Sequence, residues 1–472
     1  MYKYLTIKKK GGRMSKCNSF FGKGNILNLL AKRSGGVHFV GVGGVSMSAL
    51  ACLSCYFGIN VSAEDREKNS RTRFLEQFGV TVYKEGEMPL PPDTVLVVYS
   101  LAIDENSRSV SEAESKGIAC VSRAEYMSAL AEIYRMHIGV CGSHGKSTVT
   151  AMINRIFNYA GRNPTTLSGA SLSLEDNHFH IGSLDWFLYE ACEYKDSFLH
   201  FEPEIGVFLN LELDHTDYFK DISHIKESFS RAIQKAKLPI INADDVNLRE
   251  ITGKLKAPTV FVGTCKECFY RYELTKRSDG GMTLSFFRGG GYLGEIHLNM
   301  RGDFNASNAA CAVAAAMESG ISFHTCSEAL SKFYGIKGRL EYIGNYCGNR
   351  VYHDYAHHPT EIKCGIKALK RDTGNAVTVI FGPHTYSRTA YFWSDFVDAL
   401  KMADKVLLTE IDAVRERKIA GISAKGLADA VGGIVIRSSA DLKRSLVDTH
   451  GDIAVMGAID MRWIIEELTQ NT

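Results

Sequence analysis

The chain has 472 residues, 45 % hydrophobic and 23 % charged, a globular composition long enough for two or three domains and unlike that of a disordered polypeptide. Its 55 basic and 53 acidic residues leave a formal charge of +2, without the basic excess of a nucleic-acid-binding surface. No apolar run approaches the ~18 residues of a membrane span, and no signal-peptide core follows the basic N-terminus, so a cytoplasmic protein is expected, with Met14 as an alternative start.

In chain order, short β-branched runs alternate with amphipathic stretches, the pattern of parallel sheets with crossover helices. After a leader and first helix (1–33), strands are expected at Val37–Val40 and Thr94–Tyr99, and a first domain over 1–135. A second domain, 136–337, opens with the strand His137–Cys141. It continues through Trp186–Tyr189, Ile205–Leu211 and Leu238–Ile241. From Phe269 to Leu298 the pattern alternates, with Gly280-Gly281 and Gly289-Gly290-Gly291 as turns, which predicts an antiparallel flap. Ala306–Met317 reads as a packed helix. A third domain, 338–472, has expected strands at Ala376–Phe381, Lys405–Ile411, Ile434–Ile436 and Ile453–Met456. Three α/β domains are therefore expected: two Rossmann-like ones flanking a P-loop-like centre.

Twelve cysteines read as reduced thiols. The pairs Cys52/Cys55 and Cys265/Cys268 lie too far apart in sequence to imply one zinc site. The chemistry concentrates elsewhere. Gly142-Ser143-His144-Gly145-Lys146-Ser147-Thr148 follows a buried strand and precedes a helical pattern. Glycines there turn backbone N–H groups towards phosphate, and the helix dipole favours the negative charge. Lys146 would reach the β- and γ-phosphates and the Ser147 hydroxyl would bind Mg²⁺. Two residues rather than the usual four separate the glycines of this loop. Glu190 and Asp214-His215 follow later strands, where open α/β sheets place ligands, and are candidate metal contacts.

The first domain carries Gly41-Val-Gly43-Gly44-Val-Ser46-Met47-Ser48 after a strand, with Asp65 about twenty residues on. Ser46 stands where a dinucleotide fingerprint has its third glycine, so the turn suits a diphosphate without demanding NAD. In the third domain, His353-Asp354-Tyr355-Ala356-His357-His358-Pro359 and Pro383-His384-Thr385-Tyr386-Ser387-Arg388 suit recognition of a carboxylate or phosphate. The spacing of His353, His357 and His358 fits no usual zinc pattern. Arg301-Gly302-Asp303 reads as a turn.

Taken in order from Val37 to Asp460, these motifs resemble the Mur ligase family, and within it the branch that adds L-alanine. HFVGVGGVSMSALA is similar to a UDP-binding turn and GSHGKST to a short phosphate loop. YEACEYKDSFLHFEP and LNLELDHTDYF resemble magnesium segments. DYAHHPTEI and PHTYSRT separate this branch from its sisters.

The resemblance implies ATP-dependent ligation of L-alanine to the lactyl carboxylate of UDP-N-acetylmuramate through an acyl phosphate, in peptidoglycan precursor synthesis. Catalysis would be mainly positioning and charge neutralisation. It implies an ATP site at Gly142, Ser143, His144, Gly145, Lys146, Ser147, Thr148, Asn305, Asn308, Arg339 and Asp354, and Mg²⁺ on Ser147, Glu190 and His215. It assigns Gly41, Gly43, Gly44, Ser48, Asp65 and Ser100 to the UDP-sugar, and Tyr355, His357 and Arg388 to the amino acid, with His384 beside them. Lys146, Glu190, His215, His357, His384 and Arg388 would carry catalysis. Its partners would be these small molecules alone, with no nucleic acid or membrane, and the chain a monomer or weak homodimer.

Ser46, Glu87, Phe304, Asp412 and Ile459 depart from the family pattern, and Cys192 stands where aspartate is common. These departures keep open a catalytically weak or substrate-shifted paralogue that binds nucleotide and UDP-sugar. An NAD-dependent oxidoreductase built on the first turn leaves the Lys146 loop and the third domain unexplained.

Overall fold

Three sheets organise the chain in this computed structural model, which describes residues 22–32, 35–101, 103, 107–174, 178–253, 258–413 and 416–469. The expected leader and Met14 lie outside them. The chain divides into two compact units, 1–130 and 131–472. The described part of the leader region holds one helix, Lys23–Lys32.

The first unit is a five-stranded parallel sheet in the order Thr81–Lys84, Asn60–Asp65, Gly36–Val40, Thr94–Tyr99, Ala119–Ser122. Chain order reverses between Gly36–Val40 and Thr94–Tyr99, and such a switch point leaves a crevice at the strand C-termini. The turn Gly41–Gly44 lies there and leads into the helix Val45–Tyr56.

The second unit contains the other two sheets. In the larger, Met136–Cys141 is flanked by Ser183–Glu190 and Ile205–Phe208, both parallel to it. The hairpins from Tyr270 to Leu298 are antiparallel as expected, but they are not a separate flap: Tyr270–Ser278 pairs in parallel with Val260–Gly263 and extends the same ten-stranded sheet. The run expected at Ile205–Leu211 leaves the sheet after Phe208. There Leu209 N–H donates to Cys141 O, and Asn210 turns its side chain onto the phosphate loop.

The helix Lys146–Tyr159 buries Val149, Met152, Ile153, Ile156 and Phe157, one stripe at helical spacing. It packs against the alanine-rich helix Phe304–Glu318, in which nine small apolar side chains between Ala306 and Ala316 are buried along with Asn305 and Asn308. Small side chains permit that close approach.

The last sheet runs Glu341–Tyr346, Asn349–Asp354, Asp452–Gly457, Val377–Gly382, Lys405–Leu408, Ile434–Val435, with only the first strand antiparallel to its neighbour. Val377–Gly382 and Asp452–Gly457 are buried throughout. Central strands covered on both faces read as continuous apolar runs, which is why they were visible in sequence. The edge strand Ile434–Val435 was visible as well, whereas the more polar strands Glu341–Tyr346 and Asn349–Asp354 were not.

Candidate active site

The phosphate loop is held from three directions. Gly145 caps the helix Lys146–Tyr159 with φ of 84°, and a Cβ there would meet Asn308 Oδ1 at 2.8 Å, so only glycine fits without strain. His144 N–H donates to Asn210 Oδ1 at 2.8 Å and Asn210 Nδ2 returns a bond to His144 O. Ser143 Oγ exchanges bonds with the backbone of Glu212. The loop is thus a fixed cradle.

Lys146 Nζ lies 2.9 Å and 3.1 Å from the two oxygens of Glu193 and donates to Gly142 O at 2.6 Å. Glu193 is 1 % exposed, and His215 Nε2 stands 3.6 Å from its other side. Burial opposes charge on this carboxyl, but the Lys146 ammonium and the His215 side chain hold it below the usual carboxylate range. Glu190, the acid singled out from sequence, turns instead to Ser168 Oγ and Gly169 N–H, both at 2.6 Å. Glu193 is three residues further along, beyond the strand end. Cys192, Glu193 and His215 bring their donor atoms within 4.8 Å of one another. With the buried Ser147 at the helix start, this corner has a carboxylate, an imidazole and a hydroxyl, which fit a divalent cation.

A cleft of about 880 Å³ opens from the loop. His144, Gly145, Ser147 and Thr148 line one side, Asn305 and Asn308 another, and Arg339 and Asp354 a third. Sequence reasoning placed all eight at one nucleotide, and the structure brings them to one cavity. Phe304 lines it too. Asp354 ends the strand Asn349–Asp354. Burial raises its carboxyl to about 7 against the pull of Arg339.

The third-domain motifs gather beside this cleft. Arg388 Nη2 donates to Asp214 Oδ1 at 2.7 Å, and its Nη1 lies 3.3 Å from His384 Nδ1. Arg388, with His215 beside it, keeps the buried Asp214 carboxyl far below its ordinary range. Burial lowers His357 to about 4, with Arg388 adding to it and Glu361 opposing. His384 is lowered likewise, so both imidazoles are neutral at neutral pH. Arg339 sits over the Tyr355 ring at 5.2 Å.

His144 reaches across to this side. Its Nδ1 is 3.0 Å from Glu361 Oε1 and its Nε2 3.3 Å from Glu212 Oε2. Burial resists the charge, yet Glu361 and Glu212 overcome it and raise the imidazole to about 10. Glu193, Glu212, Glu361 and Thr360 were not singled out in sequence. The acids lie in the quoted segments YEACEYKDSF, LNLELDH and HHPTEI, and only the folded chain shows which acid faces which base.

In the first unit, Gly43 N–H donates to Asp65 Oδ2 at 2.7 Å, and a Cβ on Gly43 would come within 2.9 Å of that oxygen. Asn69 and Arg71 both donate to Gly43 O. The turn and Asp65 are therefore brought together, with Ser46 Oγ accepting from Arg123. Ser100 N–H bonds Val40 O at the switch point. Ser48 is buried, its hydroxyl donating to Val45 O.

A glycine cradle at a strand–helix junction, a lysine and a cleft lined in part by a further α/β layer are features of an ATP-dependent synthetase type of site. The family profiles agree in chain order: "Mur ligase family, catalytic domain" matches residues 36–135, "Mur ligase middle domain" 140–316, and "Mur ligase, glutamate ligase domain" 338–455. The chain is 36 % identical to a UDP-N-acetylmuramate–L-alanine ligase of Caldicellulosiruptor bescii, over 82 % of this chain and 86 % of that one. It is 34 % identical to the enzyme of that name from Agathobacter rectalis, over 92 % and 97 %. Among solved structures, the UDP-N-acetylmuramate-alanine ligase of Thermotoga maritima superposes with a TM-score of 0.77 at 23 % identity, covering 93 % of this chain and 99 % of that one. The chain belongs to the Mur ligase family.

Proposed function

We propose that the protein joins L-alanine to the lactyl carboxylate of UDP-N-acetylmuramate at the expense of ATP, in peptidoglycan precursor synthesis in the cytoplasm. The observation that carries this reading is the cleft in which the Lys146 loop faces Asn305, Asn308, Arg339 and Asp354, in a chain related over most of its length to ligases of that name. The working division is 1–135 for the UDP-sugar, 136–337 for ATP and 338–472 for closing the nucleotide and amino-acid sites.

The loop amides and Lys146 bind the triphosphate, and Asn305, Asn308, Arg339 and Asp354 hold the nucleoside end. Gly41, Gly43, Gly44, Ser48, Asp65 and Ser100 take the UDP-sugar. Mg²⁺ would be held by Ser147 and His215 with Glu190 or Glu193, where it would neutralise charge on the transferring phosphoryl group. The lactyl carboxylate oxygen attacks the γ-phosphorus and ADP leaves. The amine of L-alanine then attacks the acyl carbon, phosphate departs and the amine gives up its protons. Lys146 stabilises the negative charge that accumulates in both steps. Arg388 would exchange Asp214 for the alanine carboxylate, the planar pairing that guanidinium favours. Neutral His357 and His384 add no positive charge to repel the incoming ammonium before it deprotonates.

The test is phosphate release from ATP and Mg²⁺ with UDP-N-acetylmuramate, comparing L-alanine, glycine, L-serine and no amino acid. Release that needs the sugar nucleotide and is fastest with L-alanine is expected. Release only with another amine would replace the substrate, and nucleotide binding without release would make the chain a non-catalytic relative.

A further inference from the structure

The junction between the phosphate loop and the helix Pro359–Thr373 carries a donor cluster for which the ligase chemistry calls on no metal. His144, Glu212 and His358 present ligand atoms all within 4.8 Å of one another. His144 Nε2 is 3.3 Å and His358 Nδ1 3.6 Å from Glu212 Oε2. Ligands at the usual zinc distances around a tetrahedral ion stand about 3.3 Å apart. We propose that His144, Glu212 and His358 form a zinc-binding site that ties the phosphate loop to the last α/β layer, with a fourth position left for water. The proposal stands whether or not the ligase reading does.

The two histidines are prepared for this in different ways. An ion would replace the long bond that His358 Nδ1 accepts from Thr360 N–H at 3.3 Å, since that nitrogen is unprotonated and has one lone pair. It faces a carboxylate oxygen, which is another acceptor, and a cation between the two would relieve their repulsion. His358 Nε2 is buried and makes no hydrogen bond, and burial keeps the ring neutral, the form that binds metal. His144 uses its Nδ1 on Glu361, leaving Nε2 towards the cluster. A carboxylate behind a metal-binding imidazole fixes its tautomer and raises its basicity. Thr360 Oγ1 donates to Glu212 Oε2 at 2.7 Å and anchors the third ligand. Two imidazoles and one carboxylate suit zinc better than magnesium.

Zinc also has an access path. A groove of about 510 Å³ reaches Glu212, His358 and Thr360 from the outside, past Lys363, Phe392 and Asp395. On binding, the ion replaces the proton on His144 Nε2, which passes to solvent, while Nδ1–H stays on Glu361. Bound there, zinc would hold the loop against the last layer and slow nucleotide exchange. The site differs from the trio His353, His357, His358 considered in sequence: the true companion of His358 is His144, 214 positions away, at 4.9 Å between ring centroids.

The test is a Co²⁺ titration of the full chain without nucleotide, followed by optical absorption. The visible bands of tetrahedral cobalt are expected, displaced by one equivalent of Zn²⁺, lost in His358→Ala and kept in Cys192→Ser. Glu361→Gln, which leaves all three ligands in place, is expected to weaken metal binding about 10–100-fold. Absence of tetrahedral bands in the unmodified chain would overturn the site. So would a near-ultraviolet thiolate-to-cobalt band that disappears in Cys192→Ser, since it would move the ion to Cys192, Glu193 and His215. Unaltered bands in a folded His358→Ala variant would overturn it as well.

Discussion

Lys146 has two partners to serve, the phosphates it is proposed to bind and the buried Glu193 carboxylate 2.9 Å away. Removing the lysine strands that charge, and breaking a buried pair from one side costs about 3–5 kcal/mol. Lys146→Ala is therefore expected to abolish turnover and to lower stability by roughly 3 kcal/mol, while Lys146→Ala with Glu193→Gln recovers most of the stability and none of the activity. Urea unfolding beside a phosphate-release assay checks both; equal stability of the two variants would contradict the pairing. Gly145→Ala is expected to cost about 1–2 kcal/mol for the left-handed backbone alone, with further loss from the clash with Asn308. Its ATP affinity, read by calorimetry, is expected to fall at least tenfold. The glycines and Lys146 were legible in sequence because the constraint is local: a turn, a missing Cβ and a helix start in six residues. Glu193 was not, because Glu190 ends the strand and looks better placed. In the folded chain Glu190 turns to Ser168 and Gly169, and the acid that faces the lysine is Glu193, past the strand end.

At the scale of elements, the N-terminus of the helix Pro359–Thr373 is where the last layer grips the phosphate loop. Glu361 accepts from His357 N–H and His358 N–H and meets the His144 ring. The docked His144 holds its proton up to about pH 10, whereas an undocked imidazole titrates near 6.5. The raised value means that this stabilisation is whole below about pH 6.5 and is lost as pH rises towards 10. Glu361 shifts the other way, so its share is present above the ordinary carboxylate pKa and is lost as pH falls. Thermal stability of the second unit is thus expected to decline between pH 7 and 10, and His144→Gln to flatten that decline. An unchanged slope in His144→Gln would refute the assignment. This grip could not be read in advance: each residue stood in a noticed motif, but pairing residues 144 and 361 requires knowing how two sheets dock. The alternating stretch from 269 to 298 was legible as hairpins for the opposite reason, since neighbouring strands pair with each other. Its parallel join to Val260–Gly263 was not.

For the whole molecule, the proposed reaction makes one demand that no single unit meets. The sugar turn and Asp65 belong to residues 1–130, while the phosphate loop belongs to 131–472. The acyl group must reach the γ-phosphate, so the units must close on each other during turnover. Small-angle scattering is expected to report a smaller radius of gyration with UDP-N-acetylmuramate and a non-hydrolysable ATP analogue together than with neither. An unchanged profile would count against closure.

The acids around the phosphate loop have one more consequence, for the response to electrolyte. Glu193 on Lys146 and Asp214 on Arg388 already occupy the cations that the substrates would contact. An arriving phosphate or carboxylate therefore takes over a partnership rather than discharging a bare positive cleft, and few small counterions have to be shed into the medium. Nucleotide affinity should then change little between dilute and concentrated potassium chloride, unlike that of an exposed basic surface, whose grip on anions fades as the ionic atmosphere thickens.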